Sequence, residues 1–133
     1  MSNAHQNLLC LMGANGSGKT RMLQQVEALL ADGEVLRTGA ERIVADLIDD
    51  LSHSGSVNHV SEHLLAIDHL LIDNFWILAS RPNTAAVVRD LVEARIAADR
   101  LTILASDLTL EQWAAKQPGM ATLLSSGANI QLS

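Results

Sequence analysis

Aromatic residues, cysteine and basic charge are all scarce in this chain, and each shortage removes a class of protein. Phe75, Trp76 and Trp113 are the only aromatic side chains among 133 residues. The 48% hydrophobic content is therefore aliphatic. Leu, Ile, Val and Ala in short runs suit a parallel sheet covered by helices on both faces. Nine lysines and arginines stand against fifteen acidic residues, a formal net charge of −6. That balance excludes a broad non-specific nucleic-acid surface, which needs clustered Lys and Arg, while leaving room for a local contact. Cys10 is the single cysteine. It can form no internal disulfide and, placed in the first predicted strand, reads as a small core residue in a reducing, cytoplasmic setting. No run reaches the roughly 18 apolar residues of a membrane helix, and no secretory signal is visible. Ser2-Asn3-Ala4 reads as an expression scar, so residues 1–4 carry no argument. The length fits one domain, residues 1–133, without internal repeat or low-complexity tract.

What is present begins with Leu8-Leu9-Cys10-Leu11-Met12, an apolar run that leads into Gly13-Ala14-Asn15-Gly16-Ser17-Gly18-Lys19-Thr20. The second stretch fits G-x-x-x-x-G-K-[ST], a phosphate-binding loop, with a strand pattern before it and a helix pattern after it. Gly13, Gly16 and Gly18 let the backbone curl so that successive N–H groups face inward, where side chains would block a phosphate. Lys19 supplies a compact positive charge toward the outer phosphates, and the Thr20 hydroxyl is a ligand for Mg²⁺. The helix that starts there adds its positive dipole end. The candidate nucleotide contacts are Gly13, Ala14, Asn15, Gly16, Ser17, Gly18, Lys19, Thr20 and Arg21.

Along the chain, Asn7–Met12 reads as strand one. Lys19–Ala31 reads as a helix with Met22, Leu23, Val26, Leu29 and Leu30 on one face, stopped by Asp32-Gly33. Glu34–Arg37 is a short second strand. Thr38-Gly39-Ala40-Glu41 has the capping-box pattern for a helix whose apolar face is Ile43, Val44, Leu47, Ile48 and Leu51. Ser52–Asn58 reads as a loop and His59–Leu65 as a short helix. His69–Asp73 is a buried strand, and Phe75–Ala79 an irregular apolar turn against the core. Ser80-Arg81-Pro82 opens a helix to about Ala98, with Val87, Val88, Leu91, Val92 and Ile96 inward. Leu101–Ala105 is a fourth strand and Thr109-Leu110-Glu111-Gln112 a second capping box. Pro118-Gly119 separates that short helix from Ala121–Leu124, and Asn129–Leu132 is a fifth strand. Strands alternating with helices predict a right-handed, parallel α/β sheet.

Leu70-Leu71-Ile72-Asp73 is the apolar strand with a terminal acid expected of a Walker B element, in which the aspartate holds Mg²⁺ beside the loop threonine. The next residue is Asn74, where an ATPase often carries an acid to polarise the attacking water. An amide can orient a water but cannot take its proton, which argues for slow hydrolysis or none. Ser106 and Asp107 end the fourth strand at the edge of the sheet where ligands bind, so they are read either as facing the γ-phosphate or its water, or as caps, with Thr109, of the next helix. Asn74 and Asp107 are thus the catalytic candidates, and Thr20 and Asp73 the metal candidates.

In this order the segments resemble the AAA+ domain of the DnaA replication-initiator family and its DnaC-type and Hda relatives. The likeness covers almost the whole chain. Gly13–Thr20 resembles the family's Walker A, Ala40–Leu47 the helix after its second strand, and Asp68–Phe75 its Walker B. Ile103–Asp107 is similar to its sensor 1 strand and Leu123–Ile130 to the stretch before its fifth strand. The resemblance implies a three-layer αβα core with a five-stranded parallel sheet of order 5-1-4-3-2, an ATP or ADP cofactor with Mg²⁺, and a protein partner in the replication machinery. Asn74 departs from the initiator but is similar to Hda. No Lys or Arg follows Lys116, so the arginine finger expected near Leu124-Ser125-Ser126 is missing. The leader before strand one is short, and the chain stops after the fifth strand, before the family's lid. The single-strand-binding element of the family falls at Asp49–Ala66, where no Lys or Arg occurs between Arg42 and Arg81, so DNA binding through it is not expected.

His59-Val60-Ser61-Glu62-His63 also fits H-x-x-E-H, a zinc protease pattern. It lacks an evident third ligand, and the plain reading is a solvated face on a surface helix. Two further functions stand beside a nucleotide-binding protein: an interaction module with a vestigial loop, and a small P-loop kinase whose lid would use Arg81, Arg89, Arg95 and Arg100. No Asn-Lys-x-Asp of GTPases and no Leu-Ser-Gly-Gly of transporter ATPases is present.

Overall fold

The computed structural model describes residues 5–30 and 32–132. Residues 1–4, the expected helix end at Ala31, and Ser133 lie outside the described residues. In chain order come β1 (His5–Met12), α1 (Lys19–Leu29), β2 (Val35–Gly39), α2 (Ala40–Ser54), α3 (Asn58–Ala66) and β3 (His69–Asp73). A 3-10 turn (Phe75–Ser80), α4 (Pro82–Ala97), β4 (Leu101–Ser106), α5 (Leu110–Lys116), α6 (Pro118–Ser126) and β5 (Gly127–Gln131) follow. The strands form one sheet of order β2-β3-β4-β1-β5. Every pairing is parallel. This is the order 5-1-4-3-2 that the resemblance implies, read from the other edge.

Alternation along the strands divides the core. Leu8, Cys10 and Met12 of β1, Leu70 and Ile72 of β3, and Leu104 of β4 pack against α2 to α6. Leu11, Leu71, Ile103 and Ala105 turn to the opposite face, where they meet Leu23 of α1. Leu70, Leu71 and Ile72 are all fully buried. Covering both faces of one strand in this way stabilises by about 1.5–3 kcal/mol per side chain. Cys10 belongs to this core, and burial pushes its thiol up to about 12.

Several local expectations change. The second strand runs to Gly39, so Thr38 pairs with Ile72 in the sheet and does not cap α2. The N-cap is Gly39, with no side-chain cap bond. The expected loop from Ser52 begins only after Ser54, where Gly55 takes the left-handed conformation that ends α2. Pro118 opens α6 at its first turn, a position that needs no N–H, so the break lies at Gln117. The last strand starts at Gly127, two residues earlier than expected. Leu29, Ile48 and Leu51, expected on the apolar faces of α1 and α2, are exposed. The second capping box is present in full: the Gln112 N–H donates to Thr109 Oγ1 and the Thr109 N–H to Gln112 Oε1.

Arg95 is the largest departure. It lies on the stripe Ala85, Val88, Val92, Arg95 of α4 and is completely buried. Its Nε donates to Thr102 Oγ1 at 2.8 Å, Nη1 to the carbonyls of Leu64 and Ile67 at 2.6 Å, and Nη2 to the Leu101 carbonyl at 2.6 Å. The guanidinium thereby satisfies the end of α3 and the entries to β3 and β4. Burial, and secondarily the nearby Arg100, lowers its pKa to about 10 against a smaller opposing pull from Asp68, so it stays charged at neutral pH. Arg100 donates to the Ala66 carbonyl at 2.8 Å beside it. These partners hold both arginines at the ends of α3, β3 and β4, away from the lid that the kinase alternative would need.

Candidate functional site

The loop between β1 and α1 takes its shape from its glycines. Gly16 and Gly18 have φ of 88° and 97°, a region that a side chain makes costly, and a Cβ on either would meet nothing within 4 Å. The requirement at these two positions is therefore conformational. Gly13 is different: a Cβ there would lie 2.6 Å from both the Leu132 carbonyl and Ser17 Oγ. The loop is pinned by the Gly13 N–H donating to the Ser106 carbonyl at 3.3 Å and the Ser17 N–H to the Ala14 carbonyl at 3.1 Å. Helix α1 then starts directly from Gly18, whose carbonyl accepts from the Met22 N–H at 2.9 Å. Ala14, Asn15, Gly16, Thr20 and Arg21 remain exposed at the surface of this turn.

Lys19 folds back into the loop and is only 7% exposed. Its ammonium donates to the Gly13 carbonyl at 2.6 Å and the Ala14 carbonyl at 2.8 Å. It also approaches Ser17 Oγ at 3.3 Å and pairs with Asp107 Oδ1 at 2.9 Å. A lysine has three N–H donors, so these acceptors use its full capacity. Thr20, the next residue, donates its hydroxyl to Asp73 Oδ2 at 2.7 Å across 53 positions of sequence. This is the point where the loop and the end of β3 converge. A hydroxyl and a carboxylate are the hard oxygen donors that Mg²⁺ takes, together with water and phosphate oxygens. The residues present fit such a cation.

Asn74 follows Asp73 with φ of 55°, a left-handed conformation that asparagine tolerates better than most residues. Its N–H donates to Asp73 Oδ1 at 2.8 Å, fixing the carboxylate from its other side. The Asn74 side chain is exposed.

Ser106 and Asp107, adjacent in sequence, part at the strand end. The Ser106 hydroxyl turns into the core, where it accepts from the Leu108 N–H at 3.1 Å and the Trp113 indole N–H at 3.2 Å. It does not face the phosphate loop, because the alternation of β4 puts it on the face of Leu104. Asp107 lies on the loop side and caps no helix; Thr109 is the cap of α5. Trp113, which its sequence context did not single out, braces the site from behind. Its ring lies 5.6 Å from that of Phe75, just after the β3 acid. The signal was available: a tryptophan in the first turn of the capped helix after β4 must bury a ring and satisfy an N–H.

The H-x-x-E-H stretch lies apart from this site, on α3. Its His59 is exposed and sits 3.2 Å from Asp50. Burial alone would raise the Asp50 carboxyl, but the Val60 N–H, the Ser54 hydroxyl and the His59 ring together hold it below its ordinary value. Asp50 thus caps α3 from α2. Among the described residues no cluster of three His, Cys, Asp or Glu side chains could hold a metal ion.

Residues 2–126 match the family model of IstB-like ATP binding proteins. No curated protein sequence matches the chain. Among solved structures, domain III of the Thermotoga maritima replication initiation protein DnaA superposes on 96% of this chain and 55% of that one, with a TM-score of 0.88 and 22% identity. A replication initiator DnaA bound to AMPPCP and single-stranded DNA is similar over 99% of this chain and 42% of its own, with a TM-score of 0.86 and 20% identity. The DnaC helicase loader is similar over 100% of this chain and 82% of its own, with a TM-score of 0.69 and 13% identity. At these identities the likeness shows the fold alone, a five-stranded parallel sheet covered by helices that these DnaA and DnaC structures share. The chain spans about half the length of the DnaA structures it matches, 55% and 42%. With the family model matched along nearly all of the core that carries the glycine loop, the chain belongs to the IstB-like ATP-binding protein family.

Proposed function

We propose that residues 1–133 act as one nucleotide-binding unit that holds ATP or ADP on Gly13–Arg21, with little or no hydrolysis, and that works in replication initiation or its control. The carrying observation is the 2.7 Å contact of Thr20 with Asp73, which joins the two segments that such a site needs. Mg²⁺ bound there would neutralise charge on the outer phosphates. The chain's own part is to present inward N–H groups through the glycine turn, bring Lys19 to the outer phosphates, and hold Asp73 from both sides through Thr20 and the Asn74 N–H. Asn74 and Asp107 are the groups to orient a water, and the amide of Asn74 cannot take its proton. That chemistry supports slow turnover.

The partner is read from the neighbours: one is a replication initiator and another a helicase loader. A protein partner in the cytoplasm fits both. Single-stranded DNA is bound to one of these neighbours, but the Asp49–Ala66 segment of this chain carries no Lys or Arg. No helix of the described residues is long and apolar enough to cross a membrane. The second reading, an interaction module with a vestigial loop, is favoured by one feature: Lys19 finds all its partners within the chain. Titration calorimetry with ATP and ADP in the presence of Mg²⁺ separates the two. Binding by the wild type that is lost in Lys19→Ala supports the first; no measurable binding at millimolar nucleotide overturns it.

A further inference from the structure

We propose that the open edge of β5 pairs with β5 of a second copy of this chain, the two strands antiparallel about Ile130. β5 and β2 are the two edges of the sheet, and the sequence treats them differently. An unpaired edge offers a row of N–H and C=O groups to any other strand, and proteins blunt it with charge, proline or a covering element. β2 carries Arg37 at its middle, held 2.8 Å from Glu27 of α1. β5 has no such guard. Its residues are exposed from Ala128 to Gln131, and no charged side chain occurs between residues 117 and 133. Ile130, 41% exposed, is a large apolar side chain on that bare edge.

The ladder with β1 settles which backbone groups face outward. The Leu132 N–H donates to the Met12 carbonyl at 2.7 Å, so Ala128, Ile130 and Leu132 turn their backbone groups toward β1. Alternation then points those of Asn129 and Gln131 away from the sheet. An antiparallel neighbour whose Gln131 lies opposite Asn129 exchanges both bonds with it, and the two-fold repeats the exchange at Gln131. Ile130 then stands opposite the second copy's Ile130, in the close pair without hydrogen bonds between its members. Ala128 faces Leu132 on the same side, so the apolar stripe of one strand meets itself. Asn129 faces Gln131 on the other side, amide against amide. The net charge of −6 repels copies of this chain over most of their surface. The uncharged stretch is where that repulsion is weakest, and a basic or acidic partner would find no counter-charge on it. Because the paired strands run in opposite directions, the two phosphate loops point to opposite ends of the doubled sheet. Neither copy enters the other's site.

Sedimentation velocity of the whole chain over about 1–200 µM tests the pairing, since one short strand makes a small and weak interface. The wild type should pass from monomer to dimer with a dissociation constant of about 10 µM. Ile130→Lys should stay monomeric throughout that range while keeping the urea midpoint of the dilute wild type. Ile130→Cys checks the register, because the close pair brings its Cα atoms within disulfide range and the one native thiol, Cys10, is buried. Mild oxidation should link Ile130→Cys into a covalent dimer and leave Arg37→Cys, on the other edge, monomeric. If Ile130→Lys lowers the urea midpoint, the cross-link decides alone. A wild type that is monomeric at every concentration overturns the inference, as does a dimer that a folded Ile130→Lys leaves intact. A failure of Ile130→Cys to cross-link, or equal cross-linking of both cysteine variants, overturns it as well.

Discussion

Lys19 at the C-terminal edge of the sheet and Arg95 at the N-terminal edge are both buried cations, 7% and 0% exposed. Their surroundings differ. Lys19 pairs with a partly exposed carboxylate and with carbonyls of a loop that faces solvent, partners that a ligand could replace. Arg95 donates to a buried hydroxyl and to carbonyls at the junctions of α3, β3 and β4, inside the fold. One edge of the molecule keeps its polar groups exchangeable and the other locks them. The difference follows from the cations themselves: a guanidinium spreads five donors over a plane and can close several chain ends at once, while an ammonium is a compact charge suited to meeting another.

The contrast is broken most severely at the locked edge. Arg95→Leu leaves several buried carbonyls without donors and should destabilise by about 3–5 kcal/mol, read as a lower urea midpoint. If the loss is below about 1 kcal/mol, the knot is not what holds that edge together. At the exchangeable edge Lys19→Ala should do the reverse, changing stability by no more than about 1 kcal/mol while weakening nucleotide binding by at least about tenfold. Thr109→Ala, which removes the cap of α5 behind the loop, should cost about 1 kcal/mol in the same unfolding assay. Leu29→Ser serves as the baseline, since its side chain is 80% exposed, and a change within about 0.5 kcal/mol is expected there.

The sheet was legible because its strands are short and aliphatic and its breakers are glycines and a proline with definite conformational duties. The glycine loop and the acid at the end of β3 were legible for the same reason: each is a compact pattern whose residue types have few other uses. What stayed hidden depends on partners distant in sequence. Helical spacing puts Arg95 on the stripe with Val88 and Val92, but only the fold brings Leu64, Ile67 and Leu101 to its donors. Thr38 looked like a cap because its local pattern is satisfied by a helix start, and pairing with β3 overrode that preference. Ser106 and Asp107 look equivalent as letters. Strand alternation sends one to Trp113 and the other to Lys19.

The division of ligand binding and stability between the two edges is read out by urea unfolding of the wild type and Lys19→Ala, each with and without Mg²⁺ and ADP. At a ligand concentration about a hundred times the dissociation constant the wild type should gain about 2.7 kcal/mol, while Lys19→Ala, nearly as stable without ligand and binding at least about tenfold more weakly, should gain no more than about 1.4 kcal/mol at that same concentration. An equal gain in both proteins, or none in the wild type, would contradict it.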